Sequence, residues 1–197
     1  MTARAAVFFD LHGTLGTAHG DPDGDFPEFT WYSNAAEAVS LVNKAGLCAI
    51  AVTNQGPIAH GRFTLDEFWD RMGQLEQELR DDGASLDAVY CCPHSGADGC
   101  NCRKPRTGLV DDACRKFQID PGLSYVVGDR GDFDMLLASA IGARGILVRT
   151  GLGEGSLAEF RDTWADVDAD YVAEDVLDAV HWILGRQRSH QSPASGV

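Results

Sequence analysis

Basic residues are scarce: 16 Lys and Arg stand against 30 Asp and Glu, for a formal net charge of −14 at pH 7. Nucleic-acid and membrane-surface proteins need a basic face, so neither kind of partner is expected. An anionic ligand would need a local group of bases or a metal ion. Long apolar runs are missing too. No stretch is long enough to span a bilayer, and the N-terminus lacks the basic flank and apolar core of a secretion signal. There is no internal repeat. Cytoplasm is the expected compartment. The six cysteines (48, 91, 92, 100, 102 and 114) suit a reducing one, since four crowd into positions 91–102, too close for a conventional disulfide framework.

What is present fits one soluble domain: 197 residues, 44% hydrophobic and 23% charged. Val7-Phe8-Phe9 stops abruptly at Asp10-Leu11-His12-Gly13-Thr14, which reads as a buried strand delivering a carboxylate to the lip of a sheet. Further strands are expected at Leu47–Val52, Leu86–Cys91, Tyr125–Val127 and Gly145–Val148, with a weak one near Tyr171-Val172. Between them the pattern predicts helices. One runs from Asn34, with Glu37 as a capping-box partner, to about Ala45. A second opens at the Thr64–Glu67 capping box and runs to about Asp81, with Leu65, Phe68, Met72, Leu75 and Leu79 on its core face. Leu109–Phe117, Asp134–Ile141 and Val176–Leu184 follow, while Gly16–Thr30 reads as a surface loop.

Strands alternating with helices at this spacing predict a parallel, doubly wound, Rossmann-like α/β sheet with helices on both faces and no large cap domain. A single domain is expected over residues 1–184, with a polar, disordered tail over 185–197.

Ligands of such sheets bind at the carboxyl edge, and four matched groups end there. Asp10 closes the first strand, Thr53 the second and Asp129 the fourth, while Lys104 follows the third through a loop. A nucleophilic carboxylate, a hydroxyl, an ammonium and a second acid suit phosphoryl transfer. Asp10 attacks phosphorus, Mg²⁺ sits between Asp10 and Asp129, and Thr53 and Lys104 hold the phosphoryl oxygens. Arg103 and Arg130 are the other bases clustered near these ends, and each offers a planar fork to phosphate; Arg103 is expected to join Thr53 and Lys104 in stabilising the transferring phosphoryl. A surface salt bridge is the alternative for each.

The set resembles the haloacid dehalogenase superfamily over about residues 5–150. The matching residues are Asp10-Leu11-His12-Gly13-Thr14, Thr53, Lys104, and Gly128-Asp129 with Asp134 five residues on. The resemblance implies a phosphoric monoester hydrolase that works through an aspartyl-phosphate. It implies Mg²⁺ held by Asp10, the backbone carbonyl of His12 and Asp129, with Asp134 supporting the metal and Asp132 left to cap a helix. Thr53-Asn54-Gln55 resembles a segment of the D,D-heptose 1,7-bisphosphate phosphatases, which implies substrate contacts from Asn54, Gln55, Arg103, Lys104 and Arg130. Their zinc loop, shared with histidinol-phosphate phosphatases, resembles Cys92-Pro93-His94 with Cys100-Asn101-Cys102. His60 stands where the heptose phosphatases commonly carry Arg. The implied substrate is a small phosphorylated sugar or polyol, heptose 1,7-bisphosphate first (losing its 7-phosphate) and histidinol phosphate second. A monomer is expected.

Zinc is readable from ligand chemistry as well. Cys92, Cys100, Cys102 and His94 supply three thiolates and an imidazole, a tetrahedral set with no position left for water. Such a Zn²⁺ would be structural, pinning the loop that carries Arg103 and Lys104; an unmetallated thiol cluster or disulfides are the alternatives. Cys91 should face away from Cys92 and pack as core, and Cys48 and Cys114 read as buried thiols.

One departure bears on activity. Two residues after the nucleophile the superfamily has an acid/base Asp; this chain has His12. Imidazole, with a reference pKa of about 6.5, suits proton transfer at neutral pH. Three readings stay open. His12 replaces the acid/base; or turnover is slow, with a long-lived aspartyl-phosphate or transfer to an acceptor other than water; or catalysis is lost and phosphosugar binding is kept.

Overall fold

The computed structural model describes residues 3–18 and 25–191. Six parallel strands form the sheet: β1 (Ala6–Phe9), β4 (Cys48–Asn54), β5 (Ala88–Cys92), β6 (Tyr125–Gly128), β7 (Arg144–Val148) and β8 (Tyr171–Ala173). β2 (Gly16–Ala18) and β3 (Phe29–Trp31) form a separate antiparallel pair. The order across the main sheet is β5-β4-β1-β6-β7-β8. The chain therefore builds outward from β1 on one side, then returns to build outward from β6 on the other.

Both faces are covered, which is why the strands read as unbroken apolar runs and not as alternating ones. Val7, Phe9, Ala49, Ala51 and Val127 pack beneath Val39 and Val42 of α1 (Ala35–Lys44), Phe68 and Met72 of α2 (Leu65–Asp81), and Val180 and Ile183 of α6 (Val176–Gln191), which follows the short α5 (Gly153–Leu157). Phe8, Ile50, Val52 and Val126 face the other way, onto Leu109 and Val110 of α3 (Gly108–Phe117) and Leu137 of α4 (Leu136–Ile141). Phe8 and Phe9 are wholly buried, and each such ring contributes roughly 1.5–3 kcal/mol from burial alone.

The caps decide several boundaries. The Thr64 hydroxyl accepts the Glu67 N–H at 3.1 Å, and the Glu67 carboxylate accepts the Thr64 N–H at 2.7 Å, so the second capping box is real. The first is not. Asn34 precedes α1, but its backbone is already near-helical (φ −102°, ψ 0°) and its side chain makes no capping bond. At α6 the Asp175 carboxylate caps instead, accepting the N–H groups of Leu177 and Asp178 at 2.9 and 3.0 Å.

Four other expectations are corrected. Gly16–Thr30 is not simply a loop, because β2 and β3 pair and buried Phe26 and Phe29 fix their connection; residues 19–24 lie outside the described residues. Leu65 is 39% exposed, since it opens α2 on the solvent side of the stripe. No helix starts at Asp134: Gly131–Met135 wind as one π-helical turn ahead of α4. Gly131 leads that turn against the Trp164 indole, where a β-carbon would lie 2.1 Å from the ring. Finally, α6 continues to Gln191, so residues 185–191 are helical and not part of a disordered tail, and 192–197 lie outside the described residues. Among the described residues no helix is long and apolar enough to cross a membrane.

Candidate active site

The sheet changes direction between β1 and β6, and the crevice at such a switch point is where ligands of open α/β sheets lodge. Asp10 leaves β1 there, its N–H donating to the Val127 carbonyl at 2.9 Å, and Asp129 leaves β6 beside it. A cavity of about 490 Å³ opens over the pair. Its lining includes Asp10, His12, Thr53, Asn54, Gln55, Arg103, Lys104, Asp129, Arg130 and Asp134, so all the residues expected at the phosphoryl end meet at one place.

Lys104 is the hinge of the charge arrangement. Its Nζ donates to Asp10 Oδ1 at 2.6 Å and to Asp134 Oδ1 at 2.7 Å, and its side chain is only 3% exposed. Burial works to lower the ammonium pKa, but the two carboxylates outweigh it and hold the pKa raised. Asp134 is lifted by burial to about 6 despite the pull of Lys104. Asp129 is raised well above the ordinary carboxylate range by burial, with Asp10 and Asp134 adding to the effect. Three acids share one lysine, and the site is short of positive charge.

The same acids have the donor chemistry for a hard divalent cation. Oxygens of Asp10, Asp129 and Asp134 all lie within 4.8 Å of one another. Asp129 Oδ2 accepts the Leu152 N–H at 2.8 Å, while its Oδ1 is buried with no hydrogen-bond partner. A buried, unpartnered carboxylate oxygen among like charges fits an oxygen-seeking ion such as Mg²⁺. Asp134 is tied down by Lys104 and by the Arg130 N–H, which donates to its Oδ2 at 3.1 Å.

At the end of β4, Gln55 Nε2 donates to Thr53 Oγ1 at 2.9 Å, and both side chains are buried. That leaves the Thr53 hydroxyl proton to be given to a ligand. Asn54 is turned toward the protein: its Oδ1 accepts the Lys104 N–H at 2.9 Å and its Nδ2 donates to the Lys104 carbonyl at 3.2 Å. It clasps the backbone that presents the lysine.

The arginines form the outer wall. Arg103 Nη1 donates to the His94 carbonyl at 3.1 Å. Arg130 gives Nε and Nη2 to the two oxygens of Asp132 at 2.9 and 2.6 Å, so Asp132 is an ion-pair partner and not the helix cap expected. Arg62, which sequence reasoning passed over, also lines the cavity and pairs with Asp25 at 2.9 Å. His60 is exposed and does not line it.

Three supports were invisible in the sequence. The His12 ring lies edge-on to Phe26 and Phe29 (centroids 5.8 and 5.1 Å), so the β2–β3 hairpin sets its position. Thr150 Oγ1 donates to the Gly13 carbonyl at 2.5 Å across 137 residues of chain. Gly13 is needed at its turn (φ +76°), where a β-carbon would lie 2.1 Å from Asp129 Oδ2. Ser156 Oγ donates to the Asp129 carbonyl at 2.8 Å and accepts the Gly131 N–H at 3.3 Å, bracing the turn that presents the second acid.

A second cluster sits beyond β5. Cys92 Sγ lies 3.7 Å from Cys100 Sγ and 3.2 Å from Cys102 Sγ, and His94 Nδ1 lies 3.7 and 3.2 Å from the sulfurs of Cys92 and Cys102. Zinc–thiolate bonds of about 2.3 Å in a tetrahedron put sulfurs about 3.8 Å apart, whereas a disulfide needs about 2.0 Å. All six cysteines are free, and the spacing fits a four-coordinate metal. Burial would raise the Cys100 thiol, yet hydrogen bonds from Cys102 and from the backbone N–H groups of Arg103 and Cys102 bring it down to about 7. Cys91 packs on the opposite sheet face from Cys92, as expected, and burial pushes its thiol up to about 12. Cys48 is buried; Cys114 is only partly so.

The fold and these strand-end groups define a phosphatase-type site of the haloacid dehalogenase class, and the HAD-hydrolase-like family matches residues 101–179. The D-glycero-beta-D-manno-heptose-1,7-bisphosphate 7-phosphatase of Pasteurella multocida is 34% identical over 155 residues, 75% of this chain and 83% of that protein. Its namesake in Haemophilus ducreyi is 32% identical over 91% of this chain and 98% of that one. The crystal structure of D,D-heptose 1,7-bisphosphate phosphatase from B. bronchiseptica, complexed with magnesium and phosphate, superposes with a TM-score of 0.81 at 26% identity, covering 92% of this chain and 99% of that one. The chain belongs to the haloacid dehalogenase class, in the family of the heptose bisphosphate phosphatases.

Proposed function

We propose that this protein is a Mg²⁺-dependent phosphatase that removes the 7-phosphate of D-glycero-D-manno-heptose 1,7-bisphosphate. The observation that carries the reading is Lys104, buried between Asp10 and Asp134 beside the unpartnered oxygen of Asp129. Lys104 holds Asp10 Oδ1, which leaves Oδ2 to attack phosphorus. The ester P–O bond breaks as the aspartyl-phosphate forms on Asp10, and the leaving oxygen takes a proton from His12. His12 then accepts a proton from water as that water attacks the same phosphorus, which frees inorganic phosphate and restores the Asp10 carboxylate. Thr53 and Lys104 hold the non-bridging oxygens throughout. Asp10, the His12 carbonyl and Asp129, with Asp134 behind, would hold Mg²⁺, which would supply charge neutralisation for the transferring group. Arg103 and Arg130 take the outer part of the substrate.

Cys92, His94, Cys100 and Cys102 hold a structural Zn²⁺ that fixes the loop leading to Arg103 and Lys104. The protein works as a monomer in the cytoplasm, where free thiols persist. His12 favours one further reading, a phosphosugar-binding protein with little turnover.

Phosphate release is to be measured across sugar monophosphates, sugar bisphosphates and histidinol phosphate, with and without Mg²⁺. Mg²⁺-dependent release from the heptose bisphosphate ahead of the others is expected. Intact binding of one compound without release of phosphate would favour the binding protein, and preference for histidinol phosphate would replace the substrate. His12→Asp should lower turnover if His12 is the evolved acid/base, whereas a large gain would mark the histidine as a crippling replacement.

A further inference from the structure

The two arginines on the outer wall of the cavity share one aromatic ring. The Arg130 guanidinium lies over Phe133 at 4.2 Å from the centroid, and that of Arg103 lies over the same ring at 5.4 Å. They reach it from different parts of the fold, Arg103 from the loop after β5 and Arg130 from the end of β6. Phe133 is the third residue of the π-helical turn Gly131–Met135, is half-buried, and itself lines the cavity. π-turns in α-helices are often found at functional sites, and here the turn holds the ring between β6 and α4.

We propose that Phe133 is the positioning residue that aims Arg103 and Arg130 at an anionic group of the substrate, and so sets affinity for that group. The reason lies in how guanidinium is recognised. A carboxylate occupies its N–H edges, whereas an aromatic ring occupies its face and leaves the edges for oxyanions. Arg130 already gives one N–H each of Nε and Nη2 to Asp132, which leaves both N–H groups of Nη1 and the second of Nη2 for a ligand. Arg103 gives Nη1 to the His94 carbonyl and packs close to Gly56, where a β-carbon would lie 3.2 Å from Nη1. Asp132 balances the Arg130 charge, whereas the Arg103 side chain donates to a neutral carbonyl, so the two guanidiniums that share the ring keep a net positive charge for an anion to meet. The site is distinct from the reacting end, where Lys104 and Thr53 act. The inference rests on the phosphatase reading for its substrate, though not for the aim of the arginines.

The test replaces Phe133 by Leu, Tyr and Trp, and separately by phenylalanines carrying one, two and five ring fluorines. Fluorination drains the ring face of negative potential without removing the ring. Kinetics with the heptose bisphosphate should show KM raised about tenfold in F133L with kcat within about twofold, and near-wild-type values in F133Y and F133W. KM should climb stepwise along the fluorine series, which a filling role alone would not produce. Calorimetric titration with pyrophosphate, needing no turnover, should weaken in the same order. Unchanged KM and unchanged pyrophosphate affinity in F133L, or a flat fluorine series, would overturn the proposal even in an active phosphatase. An inactive wild type whose pyrophosphate affinity still follows the series would sink the phosphatase reading and leave this one standing. Should F133L fold poorly, the fluorine series decides alone.

Discussion

The carboxylate–lysine cluster and the thiol–imidazole cluster are both fitted to a metal, and they are built on opposite plans. Asp10 and Asp129 leave adjacent central strands, and Asp134 stands on a braced turn, so the sheet holds the oxygens whether or not a cation is present. Cys92 alone of the second set is in a strand; His94, Cys100 and Cys102 lie on the loop that follows, which includes one short helical turn at Gly96–Asp98. The first cluster is rigid and electrostatically unsatisfied. The second is a closed set of four donors on a loop, the kind of site in which a bound ion would fix the shape. Charge imbalance on a stiff frame suits chemistry; a closed ligand set on a soft loop suits stapling.

The largest effect should come from breaking the stiff cluster. Lys104→Met leaves two buried carboxylates facing each other, and should lower kcat by about 10²–10³-fold and stability by about 3 kcal/mol or more. Stopped-time phosphate assays and urea unfolding check the two; a variant with wild-type activity would remove Lys104 from the mechanism. Next comes the soft cluster. Cys100→Ser, or stripping with a strong chelator, should abolish bound zinc and cost about 10–100-fold in kcat/KM, while the central sheet stays folded by far-UV circular dichroism. Full activity in metal-free protein would mean that the loop needs no staple.

The smallest effect sharpens the contrast through pH. Burial, with Asp10 and Asp134, raises the Asp129 pKa, so protons and Mg²⁺ compete for its carboxylate. Between the ordinary carboxylate range and that raised value, Mg²⁺ affinity should fall by up to about tenfold for each unit of acidification, with proton release on binding. The sign for stability is opposite. A raised folded-state pKa means that the folded protein binds the proton more tightly, so this group's contribution to metal-free stability declines as pH rises through the same window. Calorimetry from about pH 8 to about pH 5 reads both; affinity that does not vary with pH would take Asp129 out of the Mg²⁺ site.

Asp10, Thr53 and Asp129 were legible because they stand at strand ends, which follow from apolar runs stopped by polar residues, and Lys104 was legible from the motif it shares with the resembling family. The three strand ends and the loop that carries Lys104 open on the same edge of the sheet, so all four line one cavity. The Thr64–Glu67 box was legible because both of its bonds are local. What escaped depends on partners far along the chain. Phe26 and Phe29, in a stretch rich in Gly, Asp and Pro, are anchors because Phe68 lies 4.4 Å from Phe26, a contact no local pattern announces. Asn54 looks like a ligand contact until the Lys104 backbone arrives to be clasped. The π-turn packs Gly131 against the Trp164 ring, and the Phe133 ring meets a second guanidinium only because Arg103, 30 residues away in the chain, comes to lie over it beside the local Arg130. Two phenylalanines in an otherwise polar segment were the one hint of the hairpin available beforehand.

The seam between β1 and β6 has a consequence for how the molecule assembles. Asp10 is joined by its N–H to the Val127 carbonyl, and Lys104 meets it from 94 residues away. A slip of one residue along that seam would turn Asp129 to the opposite face of the sheet. Hydrolytic activity is therefore a register gauge, appearing in refolding only when the two halves of the sheet have zipped in phase, and lagging any optical signal that reports helices alone.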